Sequence, residues 1–192
     1  MKSLKTTRDK IVSVARIVFA NLSVYKTTME DIAKASKIGR RTIYSYFGSK
    51  EELYSEVVNV EINSILVKLK AVTRTQHAPD IKLNEIFIAR MKAVEHLSMN
   101  NESLRKDFLN NIDRIENLRK NLDIKETELI GNILKEGIEN EDFELKNPDR
   151  LAFVLQRSLK AMEVPFIKDA FGEWSWETLD LYYKTLLKGI HK

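Results

Sequence analysis

The chain has 192 residues, enough for one large or two small domains, and is 43% hydrophobic and 31% charged. It contains no cysteine, which excludes disulfides and thiolate metal sites, and its 6 Gly and 3 Pro are too few for a turn-rich β fold. The net charge of +4 conceals an asymmetry: residues 1–50 carry 11 Lys and Arg against 3 Asp and Glu (+8), and the remainder carries 21 against 25 (−4). A basic first quarter on an acidic body is the footprint of a separate nucleic-acid-binding module. A basic membrane-surface segment is the alternative, weakened because the apolar positions there are needed for a helical core. No apolar run approaches the roughly 18 residues of a membrane span. The N-terminal stretch MKSLKTTRDK lacks an apolar signal core, and the absence of cysteine fits a reducing cytoplasm.

Residues 5–22 read as a first helix, with an apolar stripe of Ile11, Val12, Ala15, Val18 and Phe19. Thr28 opens a T-x-x-D pattern with Asp31, so a second helix is expected there, burying Met29, Ile32, Ala33 and Ser36. The run Ser36-Lys37-Ile38-Gly39 breaks the pattern, and Gly39 is an acceptable N-cap for a third helix. In that helix Ile43 and Phe47 point inward, and Arg41 and Ser45 point outward between Thr42 and Tyr44. Ser49-Lys50-Glu51-Glu52 is a full capping box for the next helix. A short helix that offers arginine and hydroxyls suits the DNA major groove, where arginine pairs bidentately with guanine. A helical hairpin with a solvated basic face satisfies the same pattern.

The series D-I-A-x-x-x-x-I-x-x-x-T-I-Y-x-Y-F-x-S-K-E-E-L, from Asp31 to Leu53, strongly resembles the DNA-binding signature of the TetR (tetracycline-repressor) family of bacterial transcriptional regulators. The resemblance covers about Arg8 to Val58. It implies an all-α homodimer with an N-terminal three-helix helix-turn-helix head on a larger C-terminal helical bundle, and an effector site in that body. It also implies phosphate contacts from Tyr44 and Lys50. Together with the helix geometry, it makes Thr28, Arg40, Arg41, Thr42, Tyr44, Ser45, Tyr46 and Lys50 the candidate DNA-binding residues. Arg41 is the choice for direct base readout, with Arg40, Ser45 and Tyr46 as the other candidates. Lys37 and Ser23 stand where the family usually has glycine, and a left-handed backbone at either would cost about 1–2 kcal/mol.

The expected division is 1–50 as the DNA-binding domain and 51–192 as a helical ligand-binding and dimerisation domain. A helix from about Lys50 to Thr73 connects them, with a stripe of Leu53, Val57, Val60, Ile65, Leu66 and Leu69, and is placed to reposition the head when the body moves. Further helices are expected near Ile81–Leu97, Glu102–Asn121, Asp123–Glu139, 148–171 and 174–190, with Pro148 in a first turn and Pro165 breaking or kinking its helix. The last two are apolar nearly all round, as expected of helices buried on both sides, one against the body and one against a second copy. Phe87, Met91, Phe108, Ile112, Phe153, Met162 and Phe166 are effector-site candidates, or else solid core.

His77, His96 and His191 have no metal-ligand spacing. There is no nucleophile elbow and no phosphate or dinucleotide loop, and the carboxylates sit among lysines in the manner of solvated faces. The expectation is a cytoplasmic, non-enzymatic regulator without cofactor or metal. It would be a repressor released from a palindromic DNA operator by a small-molecule effector. The competing expectation is an architectural or adaptor protein with the same head, whose body binds a protein partner.

Overall fold

The computed structural model describes residues 6–98, 106, 109–110, 112–168 and 175–190. The fold is all-α, with helices α1 (Thr7–Leu22), α2 (Met29–Ser36), α3 (Arg40–Tyr46), α4 (Lys50–Thr73), α5 (Pro79–Ser98), α6 (Ile112–Glu139), α7 (Pro148–Ile167) and α8 (Ser175–Lys188). They fall into two compact units: Met1–Ile62 with Leu97–Arg119, and Asn63–His96 with Lys120–Lys192. Helices α4 and α6 each contribute residues to both.

In the first unit, local chemistry sets the helix ends. Thr6 and Asp9 form a capping box at α1, and Thr28 and Asp31 form one at α2. Each satisfies amides that would otherwise lack partners. Both turns flanking α2 use positive φ without glycine: Ser23 has φ 68 and Lys37 φ 56. Lys37 lies in the left-handed region and its amide donates back to Ala33 and Lys34. The core beneath is one apolar cluster that includes Ile11, Phe19, Ile32, Ile43, Phe47 and Leu53, all essentially inaccessible to solvent. Side chains of this size contribute about 1.5–3 kcal/mol each on burial. Truncating Ile43, the inward anchor of α3, would cost about 2–5 kcal/mol.

The second unit packs α5 through Leu83, Ile86, Phe87 and Met91 with Leu122, Ile130, Ile133 and Leu134 of α6 and Ala152, Leu159 and Phe166 of α7 as its buried set. Tyr183 of α8 is buried beside Phe87, with ring centres 5.4 Å apart, and donates its hydroxyl to the Asp80 carbonyl at 2.9 Å. Burial, and after it the Asp80 charge, push the Tyr183 phenol well above its ordinary range.

Several details differ from the sequence expectation. The break expected between Asn121 and Asp123 does not occur: α6 runs unbroken from Ile112, because Leu122 is buried and nothing nearby is Gly or Pro. The earlier part of the expected Glu102–Asn121 helix lies largely outside the described residues. Pro165 sits in the last turn of α7, which ends at Ile167 with Lys168 as its cap. Val60 is exposed rather than part of the apolar stripe expected in α4. In α7 and α8, Phe153, Val154 and Leu181 are exposed, so these helices are not buried all round in the single chain.

The largest departure concerns charge. The solvated face expected of the carboxylates fails at Glu126 and Glu163, which are 1% and 2% exposed and lie with Arg90 and Gln156, 3% and 1% exposed. Arg90 lies between the two carboxylates, with its Nε 3.2 Å from Glu126 and its Nη2 on Glu163, and Gln156 donates to Glu126 at 3.1 Å. Lys160 pairs with the buried Asp123 at 2.7 Å, and the buried Lys82 with Glu136 at 2.7 Å. Buried charges persist only when paired and hydrogen-bonded, and these pairs cross-link α6 to α5 and α7.

Candidate nucleic-acid interface

Helix α3 is built to present one face. Ile43 and Phe47, four apart, anchor it in the core, and Arg40, Arg41, Thr42, Tyr44, Ser45 and Tyr46 are all exposed. Tyr44 and Tyr46 keep 41% and 44% of their surface in solvent. The Arg40 guanidinium lies over the Tyr44 ring at 5.4 Å, and Ser45 donates to the Thr42 carbonyl at 2.7 Å. Arg41 makes no hydrogen bond or ion pair among the described residues, so its donors are free for an external acceptor. Gly39 caps this helix without a side-chain bond.

The support around α3 is ionic as well as apolar. Arg8 of α1 stacks on Phe47, the C-cap of α3, at 5.1 Å and pairs with Glu56 at 2.7 Å. That bond raises the Arg8 pKa above its ordinary value. The hydroxyl of Thr28, and after it the backbone amide, hold the Asp31 carboxyl below its usual range. Ser49 accepts from the Glu52 amide at 3.0 Å, and Glu52 in turn accepts from the Gly48 amide at 2.8 Å. Lys50 is half-buried and its ammonium donates to the Val24 carbonyl at 2.8 Å. It therefore ties the start of α4 to the turn before α2 and is less free for phosphate than the sequence suggested. The stacking of Arg8 and the Lys50 tether are long-range features that local spacing did not show.

The effector candidates are scattered. Phe87, Met91 and Phe166 are buried, with Phe166 edge-on to Trp176 at 5.5 Å. Met162 is partly buried, Phe153 is exposed beneath Arg157, and Ile112 belongs to the first unit. Phe108 lies outside the described residues. A narrow apolar crevice in the second unit is lined by Phe87 with Leu83, Ile86, Ile130, Leu159 and Tyr182 among others. Its free volume is about 30 Å³, room for a single water molecule. Among the described residues no cluster of His, Asp and Glu could hold a metal, and no helix is long and apolar enough to cross a membrane.

A short helix held by two inward anchors, set one turn after a capped helix and facing solvent with arginine and hydroxyls, defines a helix-turn-helix DNA-binding regulator. Residues 11–57 match the family model for bacterial regulatory proteins of the tetR family. The chain is similar to the transcriptional repressor KstR2 of Mycolicibacterium smegmatis, 27% identical over 71% of this chain and 67% of that protein. It is 26% identical to KstR2 of Mycobacterium tuberculosis, spanning 48% of this chain and about half, 46%, of that relative. The fold is similar to that of a transcriptional regulator from Cytophaga hutchinsonii, with TM-score 0.77, 25% identity and 95% and 97% of the two chains covered. Residues 11–57 thus carry the DNA-binding domain of the tetR family, and the chain as a whole is similar to transcriptional regulators of that family.

Proposed function

We propose that the chain acts as a homodimeric repressor. Two copies of α3 would enter successive major grooves of an operator, about 34–36 Å apart, and a small molecule bound in the body would lower the affinity. The outward face of α3 carries this reading: six exposed polar or aromatic residues on a helix whose two apolar positions are both spent on anchoring it. Arg41 reads a base edge, Thr42, Tyr44, Ser45 and Tyr46 flank it, and Arg40, Thr28 and Lys50 supply positive charge or amides to the phosphates. Phe153 and Val154 on α7 and Leu181 on α8 support dimerisation, because a second copy would cover them. Selecting bound duplexes from a random pool and sedimenting the chain alone and with the selected DNA tests the reading. Two half-sites per bound duplex and a mass near twice 22.3 kDa are expected. A monomer at micromolar concentration, or no sequence preference, would overturn it.

The tight crevice favours a second reading for the body. A narrow crevice and exposed apolar side chains on α7 and α8 suit a protein partner as well as a ligand. Thermal-shift screening of metabolites, followed by the DNA-binding assay with each hit, separates the two. A hit that both stabilises the chain and releases DNA supports an effector. An effector would have to bind the two conformations of the body with different affinity, and so would open the crevice.

A further inference from the structure

We propose that Arg114, at the start of α6, is the positioning residue that fixes how α3 is presented to DNA. The inference rests on the reading of the chain as a dimeric binder of a two-half-site operator. Arg114 lies in the first unit and its Nη2 donates to the Glu51 carbonyl and to Ser55 Oγ, the latter at 2.7 Å. Ser55 Oγ also donates to the Glu51 carbonyl at 3.0 Å, which closes a three-membered set. The guanidinium lies 5.5 Å from the centre of the Tyr54 ring, and that ring meets Phe19 edge-on at 5.7 Å in the middle of the head core. One side chain therefore grips the first two turns of α4, directly after the turn that ends α3.

The grip matters because of the chain's connectivity. Arg8 and Arg16 also tie α1 to this stretch of α4, through Glu56 at 2.7 Å and Glu61 at 2.6 Å. Both of those bonds stay within residues 1–62. Arg114 reaches the same stretch from beyond α5. It joins α4 to α6, two of the helices that have residues in both units. Two helices clamped at one end cannot twist past one another without breaking the clamp. With the clamp gone, α4 and α6 are free to twist against one another where they leave the first unit. Arginine suits the task because its planar fork bonds two acceptors while its face stacks on an aromatic ring, and lysine reproduces only the charge.

Operator spacing tests this directly. One inserted base pair turns a half-site by about 34° and moves it about 3.4 Å, so a dimer with rigidly held heads is sensitive to spacing. The operator is first selected with the wild-type chain, and affinities are then measured on duplexes with one or two base pairs added or removed between half-sites. Wild type should lose about tenfold or more per step, and Arg114→Ala under about threefold, with dimer mass and melting temperature near wild type. Arg114→Lys should fall between them. Ser55→Ala, which removes one acceptor, should flatten the profile in the same direction and carries the test if Arg114→Ala does not fold. Variants that lose affinity equally at every spacing, or keep the wild-type profile, would overturn the proposal and leave the operator reading intact. If the wild-type chain selects no two-half-site DNA, the operator reading itself falls and the role of Arg114 with it.

Discussion

Replacing Ser23 by glycine should make the chain more stable, contrary to the usual effect of adding glycine. Ser23 has φ 68 and ψ 157, a region that only glycine populates freely. Holding another residue there costs about 1–3 kcal/mol. Its backbone bonds survive the change: the amide donates to Phe19 at 2.9 Å, and the carbonyl accepts from the Thr27 amide at 3.1 Å and hydroxyl at 2.6 Å. What is lost is the weak bond from the Lys26 amide to Ser23 Oγ at 3.4 Å. Glycine also adds about 0.5–1 kcal/mol of unfolded-state entropy to be overcome. The difference leaves about 1 kcal/mol of stabilisation, a rise of about 2–4 °C in melting temperature for a chain of this size. Ser23→Ala is the control, since it removes the hydroxyl and keeps the strain. Lys37→Gly should gain less, about 0.5 kcal/mol, because φ 56, ψ 35 is the milder left-handed well and a cation near the end of α2 is lost. Urea melts of the three variants decide the matter. If Ser23→Gly unfolds no later than Ser23→Ala, the strain assigned to this turn is not there.

Arg41→Ala should lower affinity for the selected operator more than for nonspecific DNA and relax preference at one base pair per half-site, by about 1–3 kcal/mol of discrimination; equal losses on all sequences at fixed salt would make it a phosphate contact. Two glycines of α6 should respond oppositely to alanine. At Gly131 a Cβ would meet Ala152 at an ordinary 3.6 Å, so helix propensity should add up to about 1 kcal/mol. At Gly137 it would fall 2.1 Å from the Phe143 ring, and chemical melts should show a loss of about 1–3 kcal/mol. Arg90→Met removes the guanidinium between Glu126 and Glu163 and should cost about 3–5 kcal/mol in chemical melts; a melt unchanged from wild type would argue against an uncompensated buried charge. Asp31, whose native pKa lies below 3.8, contributes stability that is fully present above that value and is lost as pH falls through the lowered native one. The gap between wild type and Asp31→Asn in acid titration should therefore be open at neutral pH and close below 3.8.

How much the sequence disclosed differs between the two units, for a physical reason. In the head, short-range chemistry determines the structure. Thr28 with Asp31 and Ser49 with Glu52 mark helix starts within four residues, and Ile43 with Phe47 shows the inward face of α3 without reference to anything distant. The strained turns at Ser23 and Lys37 were signalled by the family resemblance, which places glycine there. The supports of that face were hidden, because Arg8 on Phe47, Lys50 on Val24 and Arg114 on Glu51 join residues far apart in sequence.

In the body, the charged residues misled because a glutamate on a solvated face and one in a core are the same letter. Their phase carries the missing signal. Arg90 follows Ile86 by four, Glu163 follows Leu159 by four, and Glu126 precedes Ile130 by four, so each charge continues an apolar stripe rather than its polar side. Ile86, Ile130 and Leu159 all line the crevice. Arg90, Glu126 and Glu163 therefore form the next layer, one helical turn or about 5.4 Å further along each of three helices. Such a layer specifies register in a way that apolar side chains do not. Advancing α6 by one residue would rotate Glu126 by about 100° away from Arg90, leaving a guanidinium and a carboxylate in the core without each other, whereas an isoleucine displaced equally would find other carbon to touch. The ion pairs thus hold α5, α6 and α7 in one alignment, and any ligand that opens the crevice must do so against that alignment.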